Sequence, residues 1–158
     1  MLGITPFGMF HTLISLVSLS AGLYALLRRC ELRADTTLGR VYVLFTIASC
    51  VTGFFIVRHG GFSQAHALGI VTLVVLLASW QIQRSAGANR LRRTLAALGF
   101  TTTVFFHFIP GFNETLTRVP AGNPLLTGPE DPKLFMLVGI AFAVFAVLGV
   151  FQVQRLYR

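Results

Sequence analysis

The chain has 158 residues, of which 54% are hydrophobic and 11% are charged. A soluble domain has about 25% charged residues, so water is not the main solvent of this protein. Its net charge of +8 would suit a nucleic-acid-binding protein. The positions of the basic residues follow membrane topology instead, and we expect no nucleic acid among its partners.

Five mostly uncharged apolar runs have the length of membrane-spanning helices. Hydrocarbon about 30 Å thick needs about 20 residues of helix, and only helices and closed barrels satisfy every backbone group in lipid. Runs of this length exclude strands. We therefore predict an all-α integral membrane bundle in a lipid bilayer, with residues 1–158 as a single domain. The predicted spans are Phe7–Leu27, Val41–Arg58, Ala65–Ile82, Thr94–Pro110 and Leu134–Gln154.

The basic residues lie mainly at one side of the predicted spans. Ten of the thirteen follow the first, third or fifth span, and only Arg58, Arg118 and Lys133 lie on the other side. By the positive-inside rule, the N-terminus is outside and the C-terminus is cytoplasmic. We expect a multi-pass protein of the bacterial inner membrane.

All four histidines of the chain fall near ends of apolar runs, and the predicted topology puts them at the periplasmic face. They are His11, His59, His66 and His107. In the first span, His11 shares one helix face with Ser15, Ser18 and Gly22. A stripe of small and polar residues is expected to face inward, because small residues let membrane helices approach closely. A similar stripe in the fourth span ends in His107.

The fourth span is expected to end at Pro110 and Gly111, because proline and glycine commonly end helices. The following polar connection, residues 111–133, contains several prolines and glycines, which argue against regular structure. It places Glu114 and Arg118 beside the histidines.

Short motifs in the first 110 residues resemble a known family. A histidine early in the first span, the segment Leu38-Gly39-Arg40-Val41-Tyr42-Val43 and the segment His66-Ala67-Leu68-Gly69 resemble the uncharacterised prokaryotic membrane family called domain of unknown function 2306. The arrangement is also loosely similar to small di-haem cytochrome b bundles. Those bundles have histidine pairs at both membrane faces, whereas this chain has none at the inner face, which argues against two haems.

The first functional hypothesis is a transition-metal site, with redox-linked chemistry as one of its uses. Neutral imidazoles suit zinc or copper. His11, His66 and His107 would be ligands, with His59 or Glu114 as the fourth. A position left to water would permit hydrolytic or redox chemistry.

Two alternatives stay open at this point, and so does the question whether the protein is an enzyme. One is a single haem b held by two histidines, either His66 with His107 or His11 with one of these, with Arg58 and Arg118 for the propionates and quinol as electron partner. The other is a non-enzymatic accessory subunit of a larger membrane complex. Such a subunit would dock through the 111–133 connection and the fifth helix, where Gly139 and Ala143 offer a close-packing face.

Overall fold

The computed structural model describes residues 4–57 and 61–158 of the chain. These residues form five α-helices: α1 (Pro6–Arg29), α2 (Thr37–Phe54), α3 (Gln64–Arg84), α4 (Arg90–Leu116) and α5 (Pro132–Tyr157). All five are long and apolar enough to cross a membrane, by length and composition. The prediction of an all-α bundle with five candidate spans is therefore confirmed, and these helices indicate a multi-pass membrane protein.

Four helices begin at a polar side chain that accepts a backbone hydrogen bond. The first backbone N–H groups of a helix have no partner within the helix, and a short polar side chain can satisfy them. Thr5 accepts from Gly8, Thr36 from Gly39, Asn89 from Arg92 and Asp131 from Lys133, at 2.9–3.1 Å. These caps fix where the chain turns into each helix.

The fourth helix does not end at Pro110, so that prediction is wrong: α4 continues through Pro110 to Leu116. Proline removes one backbone hydrogen bond and usually kinks or ends a helix. Membrane helices tolerate it, because neighbouring helices and local adjustments satisfy the freed carbonyl. Glu114 consequently lies on a helix, about two turns beyond His107, and the connection to α5 is shorter than predicted.

The bundle is built from neighbouring pairs, α1 with α2, α3 with α4 and α4 with α5, while α2 also contacts α3 and α1 also contacts α4. At the junction of α1, α2 and α4, a Cβ added to Gly22 would lie 2.9 Å from the Tyr42 ring and 2.9 Å from Val104. Only a residue without a side chain permits this approach. The predicted inward stripe of α1 is confirmed here.

Helix α5 packs mainly on α4, and Arg155 near its end donates a hydrogen bond to the Arg29 carbonyl of α1 at 3.0 Å. Gln152 and Thr101, which are 1% and 3% exposed, exchange hydrogen bonds of 2.8 and 3.0 Å. Phe142 and Phe145 pack against Phe105. The Gly139 face, which was predicted for close packing on the core or on a partner, is open within the described structure, because a Cβ added to Gly139 would meet no atom within 4 Å.

Candidate functional site

We call the end of the bundle where α1 and α3 begin and α2 and α4 end the histidine end. It carries His11, His66 and His107, together with Glu114 and Arg118. Two other predicted site residues, Arg58 and His59, lie outside the described residues. The hydrogen-bond partner of Nδ1 decides which ring nitrogen of each histidine carries the proton.

His11 on α1 is oriented by Thr52 on α2. Its Nδ1 lies 2.9 Å from Thr52 Oγ1. The hydroxyl proton of Thr52 points to the carbonyl of Ala48 at 2.7 Å, as is common for threonine in helices. Thr52 Oγ1 therefore accepts the hydrogen bond and His11 Nδ1 carries the proton. In the neutral ring this leaves a lone pair on Nε2.

Gly53 on α2 makes room for the His11 ring. A Cβ at this position would lie 3.3 Å from His11 Cε1, closer than ordinary van der Waals contact. The absence of a side chain at Gly53 allows the imidazole to reach Thr52.

His107 on α4 has the same tautomer as His11. Its Nδ1 lies 2.9 Å from the backbone carbonyl oxygen of Thr103, and a carbonyl can only accept, so Nδ1 carries the proton. Thr103 is itself held by Tyr42, whose hydroxyl is 2.7 Å from Thr103 Oγ1. The Tyr42 ring also lies near the imidazole, with 6.0 Å between ring centroids. Nε2 of His107 again keeps its lone pair.

His66 is different, because its Nδ1 is an acceptor. The backbone N–H of Ser63 donates to it at 3.0 Å, and the Ser63 hydroxyl is 2.7 Å away. The proton of the neutral ring must then be on Nε2, and no lone pair is left for a metal. The ring is stacked between Phe54 and Phe62. In this arrangement His66 caps the start of α3.

The structure brings His11 and His107 to the same end of the bundle, within range of an electrostatic interaction. Glu114 is also within such range of His11 and forms an ion pair with Arg118. Within residues 4–57 and 61–158, however, no three His, Cys, Asp or Glu side chains are placed to hold a metal ion. The predicted convergence of His11, His66, His107 and Glu114 on one ion is therefore not found in this part of the chain.

The sequence reasoning did not single out the groups that orient the two imidazoles. They are the Thr52 hydroxyl, the Thr103 carbonyl and the Tyr42 hydroxyl. A signal existed for the first of these. Ser49 and Thr52 on α2 are three residues apart, as are Ser15 and Ser18 on α1. The hydroxyl oxygens of Ser49 and Ser15 lie 2.6 Å apart. Such matched spacing indicates two polar faces in contact.

Comparisons with protein-family models, curated proteins and solved structures found no match to this chain. The argument for function therefore rests on the site: a helical bundle of membrane-spanning length that presents two imidazoles, both with Nδ1–H anchored and Nε2 available.

Proposed function

We propose that this protein binds a single haem b through His11 and His107 and carries electrons within the membrane. The observation that supports this most directly is the shared tautomer of the two rings. Histidines that ligate a metal almost always donate their other ring N–H to a carbonyl, a carboxylate or a similar acceptor. Both imidazoles meet that condition, through Thr52 Oγ1 and the Thr103 carbonyl.

Haem suits this donor set better than zinc does. A porphyrin supplies four nitrogens of its own, so His11 and His107 would be enough to hold the group. Structural zinc takes four protein ligands and catalytic zinc takes three. The described residues offer two nitrogens with free lone pairs. Bound haem would supply one-electron chemistry, with its potential tuned by the two histidines that would hold it and by their hydrogen bonds.

The polypeptide would contribute orientation and charge to this site. Thr52 and Thr103 would hold the rings. Arg118, whose side chain is 15% exposed, would share its guanidinium between Glu114 and a haem propionate, and Arg58 is a second candidate for that contact. In the predicted topology the site lies at the periplasmic face of a bacterial inner membrane, where quinol is a suitable electron partner.

The test is the absorption spectrum and metal content of the full-length protein purified in detergent from cells supplied with haem precursor. We expect a Soret band and one iron per chain. His11→Ala and His107→Ala should each abolish the band. His66→Ala is the matched control and should retain it, because His66 Nδ1 is used in a helix cap. A colourless, iron-free wild type, or equal loss in all three variants, would contradict the proposal.

A zinc or copper site is the second candidate, because Glu114 is within electrostatic range of His11. Its ligands would come from His11, His107, Glu114 and His59. Because no three His, Cys, Asp or Glu side chains of the described residues are placed to hold an ion, these side chains would have to move together on metal binding. Stoichiometric zinc or copper without a Soret band, lost on Glu114→Gln as well as on His107→Ala, would favour this candidate over haem.

The accessory-subunit hypothesis stays a proposal of its own. Only 11% of the most apolar stretch of α5 is buried, so most of this helix is free to contact lipid or another subunit. Stoichiometric co-purification with a membrane complex would support it. Unchanged association after the histidine substitutions would separate it from both cofactor proposals.

A further inference from the structure

The end of the bundle opposite the histidine end, where α1, α3 and α5 end, contains a cavity of about 390 Å³. It lies between the connection from α1 to α2 and the connection from α3 to α4. Among its lining residues are Trp80, Arg84 and Arg93 on one side and Glu31, Arg33 and Asp35 on the other. We call it the arginine cavity.

The walls of the arginine cavity are held in place by specific contacts. Gln83 Oε1 accepts the backbone N–H of Ala34 at 2.8 Å, which ties the first connection to the end of α3. Arg33 donates two hydrogen bonds to Asp35, at 3.1 and 2.6 Å. The guanidinium lowers the pKa of Asp35, so this pair stays ionised. The cavity is therefore formed before any ligand arrives.

The charge that remains in the cavity is positive. The lining has three arginines and two carboxylates, a net charge of +1, and the Arg33–Asp35 pair is self-neutralised. Arg84 lies over the Trp80 ring, 5.2 Å from its centroid. Neither Arg84 nor Arg93 has a carboxylate partner among the described residues. Arg84 and Arg93 thus line a preformed space together with the single remaining carboxylate of Glu31, which leaves an excess of one positive charge.

We propose that the arginine cavity binds a phosphate-bearing anion, either the headgroup of an anionic lipid or a soluble phosphate ester. The planar guanidinium fork matches phosphate geometry, and basic pockets between membrane helices are suited to lipid headgroups. The volume is within the range of small-molecule sites, about 300–1,000 Å³. Trp80 is 38% exposed at a helix end, where tryptophan commonly sits at headgroup depth.

A general excess of arginine at this end would follow from membrane topology alone, so the test must separate a site from surface charge. Trp80 is the only tryptophan of the chain and lines the cavity, so its fluorescence reports on occupancy. The full-length protein in neutral detergent is titrated with phosphatidylglycerol, with phosphatidylcholine and with glycerol phosphate. We expect a saturable change with phosphatidylglycerol or glycerol phosphate and none with phosphatidylcholine.

Arg93→Gln is the decisive variant, because the Arg93 side chain makes no hydrogen bond within the described structure. It should weaken binding by about tenfold, the usual effect of losing a hydrogen bond to a charged group. Arg29→Gln is the control, since it removes the same charge from the exposed end of α1 outside the cavity, and it should leave binding unchanged. Circular dichroism of both variants checks that they fold.

The two sources are distinguished by which probe saturates. Binding of phosphatidylglycerol alone assigns the cavity to a lipid, and competition by glycerol phosphate assigns it to a soluble ester. No saturable signal with either probe, equal binding of phosphatidylcholine, or equal weakening by Arg29→Gln would overturn the proposal. This experiment does not depend on His11 or His107. The anion-binding proposal and the haem proposal can therefore fail independently.

Discussion

At the scale of single residues, the chemistry of an imidazole at the histidine end is decided by the atom opposite its Nδ1. A backbone carbonyl opposite His107 and a hydroxyl already committed to Ala48 opposite His11 both require a proton on Nδ1. A backbone N–H opposite His66 requires a lone pair there. All three histidines lie near the end of an apolar run. His11 and His107 can nevertheless bind a metal through Nε2, whereas His66 cannot.

The role of Thr52 can be tested in the haem-loaded protein. Thr52→Val removes the acceptor for His11 Nδ1–H, and loss of such an outer partner typically lowers metal affinity by about 10–100-fold. We expect a comparable drop in apparent haem affinity, measured by titrating haem into the purified apoprotein. Thr52→Ser keeps the hydroxyl and should stay near wild type. Equal affinity in the valine and wild-type proteins would show that Thr52 does not support the site.

At the scale of helices, the close approach of α1 to α2 and α4 depends on Gly22. Gly22→Ala puts a methyl group 2.9 Å from the Tyr42 ring and from Val104. Overpacking of this kind costs about 1–3 kcal/mol, so we expect a lower thermal midpoint in detergent. Gly139→Ala is the matched control, because its Cβ would enter open space and alanine favours helix. Similar destabilisation by both substitutions would contradict the close-packed junction.

The start of α5 is expected to depend on pH through Asp131. Backbone N–H groups of Thr127 and Lys133 donate to its carboxylate and lower its pKa. Its stabilising contribution is present above the unfolded-state pKa and is lost as the pH falls through the lower folded-state value. The protection factors of the amides in the first turn of α5, which are exchange rates corrected for the intrinsic pH dependence of exchange, should therefore fall at acidic pH. Asp131→Asn should reduce this dependence, whereas Glu130→Gln, which removes the neighbouring carboxylate, should preserve it.

Sequence reasoning found the helices because apolar length is a property of composition, and it located their ends less well. Pro110 was expected to end the fourth helix, since proline has no backbone N–H to donate to the carbonyl one turn earlier. Tertiary packing decides the outcome in a membrane helix. The face of α5 that contacts α4 was not predicted: it carries the buried amide of Gln152, which is paired with Thr101. Docking of a partner on the Gly139 face stays a prediction.

The sequence predicted which end of the bundle carries the histidines, but it did not predict which of these histidines have a nitrogen available for a metal. Stripes of small and polar residues predicted that His11 and His107 face inward, and both histidines lie at the same end of the bundle. The role of His66 depends on Ser63, three residues earlier, and on whether its side chain folds back on the chain. That choice is made by local backbone geometry, which the pattern of residue types does not encode. Thr103 contributes a carbonyl oxygen, which every residue has.

At the scale of the whole molecule, the sidedness predicted from the arginines can be tested with the native cysteines. Cys30 follows α1 at the end of the bundle opposite the histidine end, and Cys50 lies within α2; both are free. In a Cys50→Ser background, a membrane-impermeant maleimide should label Cys30 in inverted vesicles and not in spheroplasts. A protein with Cys30→Ser, Cys50→Ser and Ala121→Cys should give the opposite pattern. Labelling of Cys30 from the outside would reverse the proposed orientation.

The Gln152–Thr101 pair also bears on how the protein is made. A glutamine amide released alone into hydrocarbon would have no partner, and such a group costs several kcal/mol. Helix α5 is therefore expected to leave the insertion machinery already joined to α4. The lateral release of α5 into the membrane and its pairing with α4 would then occur in one coupled step.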